Sequence, residues 1–72
     1  MEYRIAVPSQ LSTMLKSLRK QRGLTQTELG LRLGMSQRSV AQLEARPEKA
    51  SFDRLLRVLS ELGFDVYLRE RS

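Results

Sequence analysis

The chain has 72 residues, a net charge of +5, and neither cysteine nor histidine. That length supports one domain with a small core, which rarely supplies more than about 3–5 kcal/mol unless a staple or a partner helps. Without cysteine, disulfides and thiolate metal sites are excluded as the staple, so association with another chain is the remaining device.

No run of about 18 apolar residues is present to span a membrane. The start, MEYRIAVPS, lacks the basic-then-apolar layout of a secretory signal, and a cytoplasmic location is expected. The positive charge is concentrated: residues 16 to 57 hold ten Lys/Arg against four acids. Such a basic middle suits a polyanion. There is no repeat and no low-complexity tract.

Residues 1–8 form a short lead in which Tyr3, Ile5 and Val7 alternate with Glu2 and Arg4. This is a weak strand signal, ended by Pro8. Ser9 is suited to cap the first helix, where Leu11, Met14, Leu15 and Leu18 make one apolar stripe and Gly23 marks the end. Thr25-Gln26-Thr27-Glu28 has capping-box spacing and starts a second helix with Leu29 and Leu33 inward. Gly30 inside it costs about 1 kcal/mol relative to Ala, which close approach of the next helix would explain. Gly34 ends that helix at a sharp turn.

Ser36 caps a third helix, about Gln37 to Ala45, with Val40 and Leu43 inward and Gln37, Arg38, Ser39 and Gln42 outward. Pro47 bars its continuation. Ser51 caps a fourth, whose stripe is Phe52, Leu55, Leu56, Leu59 and Leu62, with Asp53 favourably placed in the first turn. Residues 9–63 are therefore the helical domain, mainly α with four to five helices. Residues 64–72 end the chain, and Phe64–Arg69 alternates as a strand does. A lone strand leaves its backbone groups unpaired. It needs the N-terminal segment, its own copy in a dimer, or another protein.

Two short helices joined by a tight turn, the second with polar side chains outward, form the layout of a helix-turn-helix reader. Gln pairs with adenine and Arg with guanine in two-point fashion, so Gln37, Arg38, Ser39 and Gln42 are the candidate base contacts. Thr25, Gln26, Thr27 and Ser36, at helix starts, and Arg22 are candidate phosphate contacts. Any one Gln or Ser on an exposed helix is ordinarily only solvated; the signal lies in their setting behind Gly30, Gly34, Val40 and Leu43. Arg19 and Glu44, on the first and third helices, are candidates for a structural ion pair that fixes the reading helix. The alternative is two unrelated surface charges. The eight acids make no paired-carboxylate or metal-ligand motif, and no phosphate-cradling Gly loop is present, so no catalysis, cofactor or metal is expected.

The run LRKQRGLTQTELGLRLGMSQRSVAQLE closely resembles the Xre/Cro-type repressors, including small lambdoid phage repressors, over roughly Leu11 to Leu62. The resemblance implies a lambda-repressor-like domain in which Gln26, Gln37, Arg38, Ser39 and Gln42 meet operator DNA and Arg19 pairs with Glu44. The ends are similar to those of HipB-type antitoxins: Pro8-Ser9-Gln10-Leu11 before the helical domain, Leu62-Gly63-Phe64 and a strand after it. That resemblance implies a homodimer joined by C-terminal strands, with Phe64, Val66, Tyr67 and Leu68 at the interface and the Phe52–Leu62 helix assisting. It also implies an inverted-repeat DNA operator, repression of its own operon, and a HipA-type serine/threonine kinase toxin as partner. Since the sequence ends at Ser72, no feature of a longer family tail is carried over. The other reading is a stand-alone Xre/Cro-type regulator without a toxin.

Overall fold

The computed structural model describes residues 2–72. Among them, four α-helices follow in order: α1 (Pro8–Gln21), α2 (Gln26–Leu33), α3 (Gln37–Ala45) and α4 (Phe52–Glu61), with a 3-10 turn at Pro47–Lys49 between the last two. α3 packs against both α1 and α2, and α4 packs against α2.

The helix starts follow from side chains that satisfy the free N–H groups of a first turn. The Thr25 hydroxyl accepts from the Glu28 N–H at 3.0 Å, and the Glu28 carboxylate accepts from the Thr25 N–H at 2.9 Å, a reciprocal capping box. Ser36 accepts from the Ser39 N–H at 3.0 Å and Ser51 from the Arg54 N–H at 3.2 Å.

α1 differs from expectation. It begins at Pro8, with Val7 as the cap residue and Ser9 already helical. Pro is favoured at a first helical position because it has no N–H to orphan. Gln10 takes over the capping, its Oε1 accepting from the Ala6 N–H at 2.7 Å and the Val7 N–H at 3.3 Å.

Gly34 ends α2 in the left-handed conformation, φ +67°. A Cβ on Gly30 would stand 2.4 Å from the Met35 carbonyl oxygen. The close approach that requires glycine is thus made by the backbone of the turn, rather than by α3 itself. The Met35 N–H donates to the Gly30 carbonyl at 2.8 Å and holds the turn shut.

The core unites Leu15 and Leu18 of α1, Leu24, Leu29 and Leu33 of α2 and its approach, Val40 and Leu43 of α3, and Val58, Leu59 and Leu62 at the end of the chain's last helix. A fully buried Leu such as Leu15 or Leu29 contributes about 1.5–3 kcal/mol. α4 turns a different stripe inward than expected. Leu55, Val58, Leu59 and Leu62 form or border the core, while Phe52 is 66% and Leu56 38% exposed. At about 100° per residue, Phe52 and Leu56 lie roughly 70° and 110° from the centre of the buried arc, on its flank.

Neither end carries regular secondary structure among the described residues. The ends do meet. Phe64 is half-buried against the core, its ring tilted 60° to that of Tyr3 at 6.1 Å between centroids. Arg69 and Glu2 form an exposed ion pair at 2.5 Å, of a kind that adds little stability.

Candidate nucleic-acid interface

The capped turn fixes the start of α3 at the surface. Gln37, Arg38 and Gln42 are exposed there, and Ser39 is half-buried beside them. The Arg38 guanidinium and the Gln42 amide make no hydrogen bond or ion pair among the described residues. The Ser36 hydroxyl donates to Ser39 Oγ at 3.0 Å, so the Ser39 hydroxyl keeps its own proton for another acceptor.

Beneath this face lies a buried charge pair. Arg19 Nε meets Glu44 Oε2 at 2.5 Å, and Arg19 Nη2 donates to Oε1 at 3.3 Å. Glu44 is 1% exposed and Arg19 8%. Arg19 Nη1 donates to the Leu24 carbonyl at 2.8 Å, tying down the loop into α2. Two charges this far from water are tolerated only when their remaining donors and acceptors are satisfied. Here they are: no buried side-chain polar atom lacks a partner among the described residues.

The network continues outward. Gln26 Nε2 donates to Glu44 Oε1 at 3.1 Å, and Gln37 Nε2 donates to Gln26 Oε1 at 2.6 Å. The interior of the domain is thereby joined to the first side chain of α3. Sequence reasoning placed Gln26 only at the DNA. No local spacing signals its link to Glu44, which is eighteen residues away.

Thr25 and Thr27 are exposed at the start of α2, and an open hollow there is lined by Lys20, Thr25, Gln26, Thr27 and Gln37 among others. The first N–H groups of a helix have no intrahelical partner and attract anions. The Thr25 and Ser36 hydroxyls are engaged as caps. The Thr25 N–H and hydroxyl, aided by the positive charge of Arg32, hold the Glu28 carboxyl below its ordinary value.

Arg22 is occupied elsewhere. Its Nε donates to the Leu62 carbonyl at 2.9 Å and its guanidinium lies over the Phe64 ring, 5.6 Å from the centroid. The side chain expected at a phosphate joins the ends of α1 and α4 instead. Arg57 has a role that the sequence did not signal, donating to the Leu33 carbonyl at the end of α2 at 2.8 Å. Val66, Tyr67 and Leu68 are exposed.

A short capped helix, a glycine-dependent turn and a second helix with an exposed polar start define a helix-turn-helix protein, and the helix-turn-helix family model matches residues 15–68. The chain belongs to that family and, within it, to the HipB antitoxins. It is 31% identical over 65 residues to Antitoxin HipB of Escherichia coli O6:H1, covering 90% of this chain and 69% of that protein. A solved complex of a serine-to-alanine HipB variant with an O2 20mer has a TM-score of 0.87 at 26% identity, over 100% of both chains. A HipB–O1–O2 complex gives 0.85 at 28% identity, over 96% of this chain and 100% of the other.

Proposed function

We propose that this chain is a sequence-specific DNA-binding repressor, acts as a dimer, and serves as the antitoxin of a module whose toxin is a HipA-type serine/threonine kinase. The observation that carries the DNA reading is the exposed start of α3, where Arg38 and Gln42 hold unspent hydrogen-bonding groups beside Gln37. Gln37, Arg38, Ser39 and Gln42 read base edges in the major groove. Gln26, Thr27 and the free N–H groups of α2 grip a phosphate, with Thr25 and Ser36 at the rims. Arg22 remains with Leu62 and Phe64. HipB relatives solved with 20mer and O1–O2 partners support operator binding, and the antitoxin name of the relatives supports a toxin partner.

Two copies place their α3 helices in successive major grooves, about 34–36 Å apart, on an inverted repeat. The exposed apolar run Val66, Tyr67 and Leu68, with Phe52 and Leu56 on the flank of α4, forms the dimer surface. Residues 64–69 take up strand structure when they pair with the same segment of the second copy, which supplies the missing ladder partners. Phe64 contributes from its inner side. The protein works in the bacterial cytoplasm on its own promoter.

The test combines two measurements. Tagged chain is recovered from its host with nuclease present and its partners are identified by mass spectrometry, and binding to its own promoter is followed by fluorescence anisotropy. A stoichiometric kinase-like protein together with operator binding supports the full reading. Operator binding with only self-copies recovered reduces the protein to a stand-alone autorepressor.

A further inference from the structure

We propose that buried Glu44 is a positioning residue for base readout: it sets the hydrogen-bond polarity of the amide chain Gln26–Gln37 and thereby what Gln37 offers to a base. This rests on the base-reading role of Gln37 proposed above.

A primary amide is two-faced, with two donors on nitrogen and an acceptor on oxygen, and nothing in its shape favours one orientation over the other. Its neighbours decide. Glu44, held against Arg19 at 2.5 Å and 3.3 Å, is a carboxylate and therefore accepts only. The amide that meets it must present nitrogen, and Gln26 does so at 3.1 Å. Its oxygen is then turned the other way, toward Gln37. That oxygen also accepts only, so Gln37 must present nitrogen in turn, at 2.6 Å.

One donor of Gln37 is consumed, leaving one N–H and the carbonyl oxygen. One donor plus one acceptor is the pattern complementary to adenine N7 and N6 in the major groove. If the chain ran in reverse, Gln37 would turn its oxygen inward and keep two donors outward. That pattern suits the paired acceptors of guanine. The charge on Glu44 thus excludes the reversed chain, and an apparently structural ion pair carries base discrimination. Arg19 contributes by holding both carboxylate oxygens in place.

The experiment measures binding to an operator panel with each of the four bases at every position, for wild type, Glu44→Gln, Gln26→Leu and Gln37→Ala. Gln26→Leu leaves both members of the ion pair in place, so it carries the test if Glu44→Gln fails to fold. At the base pair where Gln37→Ala erases the preference, wild type favours adenine over guanine at least about fivefold, the low end for a two-point contact. Glu44→Gln and Gln26→Leu bring that ratio to within about twofold there, while preferences at other positions persist. An unchanged ratio in either folded variant, or an equal loss at all positions, overturns the proposal.

Side-chain amide NMR of the free protein separates this inference from the DNA-binding reading. In wild type a Gln37 side-chain N–H is shifted downfield by its bond to Gln26, and in folded Glu44→Gln that shift collapses. A shift retained in Glu44→Gln overturns the relay whether or not DNA is bound.

Discussion

Arg19 and Glu44, twenty-five residues apart, meet as a buried ion pair that pins α3 to α1. Its two partners are 8% and 1% exposed, so removing one leaves a charge in the interior with no counterion. Glu44→Ala or Arg19→Ala is expected to destabilise by about 3–5 kcal/mol, a large fraction of what a domain this small can hold. Replacing both by apolar residues, Arg19→Met with Glu44→Leu, recovers most of that stability because no unpaired charge remains. Urea unfolding of the two single variants and the double variant measures this. Additive losses in the double variant would show that the pair is not the source of the effect.

Gly30 and Gly34 both serve the turn, for different reasons that substitution separates. Gly34→Ala meets open space and suffers only from its positive φ, a penalty of about 1–2 kcal/mol. Gly30→Ala gains about 1 kcal/mol of helix propensity but places a Cβ 2.4 Å from the Met35 carbonyl oxygen. Backbone must move to relieve that clash, and the movement displaces the start of α3. Gly30→Ala is therefore expected to be the more damaging variant for DNA binding, even where the two have similar melting temperatures. Thermal unfolding and operator titration of both variants give the comparison.

The helices were legible because their signals are local: Thr25 with Glu28, Ser36, Gly34 and Ser51 each act within one turn. The outward face of α3 followed from Val40 and Leu43 pointing inward. The start of α1 was misread because Pro8 and Ser9 are both good helix openers, and the Gln10 side chain decides between them. On α4, the apolar arc was wider than the available core, so pattern alone did not show that Phe52 and Leu56 stay outside. The links from Glu44 to Gln26 and from Arg22 to Leu62 join residues 18 and 40 positions apart. No periodicity reports such pairs. Residues 64–69 alternate as a strand, but a strand is defined by its ladder partner, and the described residues supply none.

The capping box makes stability depend on acid pH. Hydrogen bonds from Thr25, with help from Arg32, lower the folded pKa of Glu28 below its ordinary value of 4.5. In that window the unfolded chain binds the proton more readily, so stability rises with pH. The contribution is complete above the unfolded value and is lost as pH falls through the lowered folded one. Glu28→Gln keeps an oxygen to accept from the Thr25 N–H but cannot titrate. Its melting temperature should therefore lose part of the acid-side dependence of wild type, lying slightly below wild type near neutrality and converging with it as the pH falls. Identical acid limbs for the two proteins would remove Glu28 from the account.

The exposed apolar run at the C-terminus distinguishes assembly from folding. Val66 is 50% exposed and Leu68 wholly so in the single protomer, so a charge there disturbs few intramolecular contacts. Val66→Asp or Leu68→Asp should leave the helical circular dichroism signal intact. Either change would bury a charge in the proposed interface, and an unpaired buried charge is strongly unfavourable. Sedimentation should then show a shift toward monomer, with loss of inverted-repeat binding at the same protein concentration, because one α3 cannot reach both half-sites. Leu56→Lys, on the flank of α4, should act in the same direction. Variants that sediment as intact dimers would exclude this run from the interface. Monomers that still bind the full operator with wild-type affinity would separate DNA recognition from dimer formation.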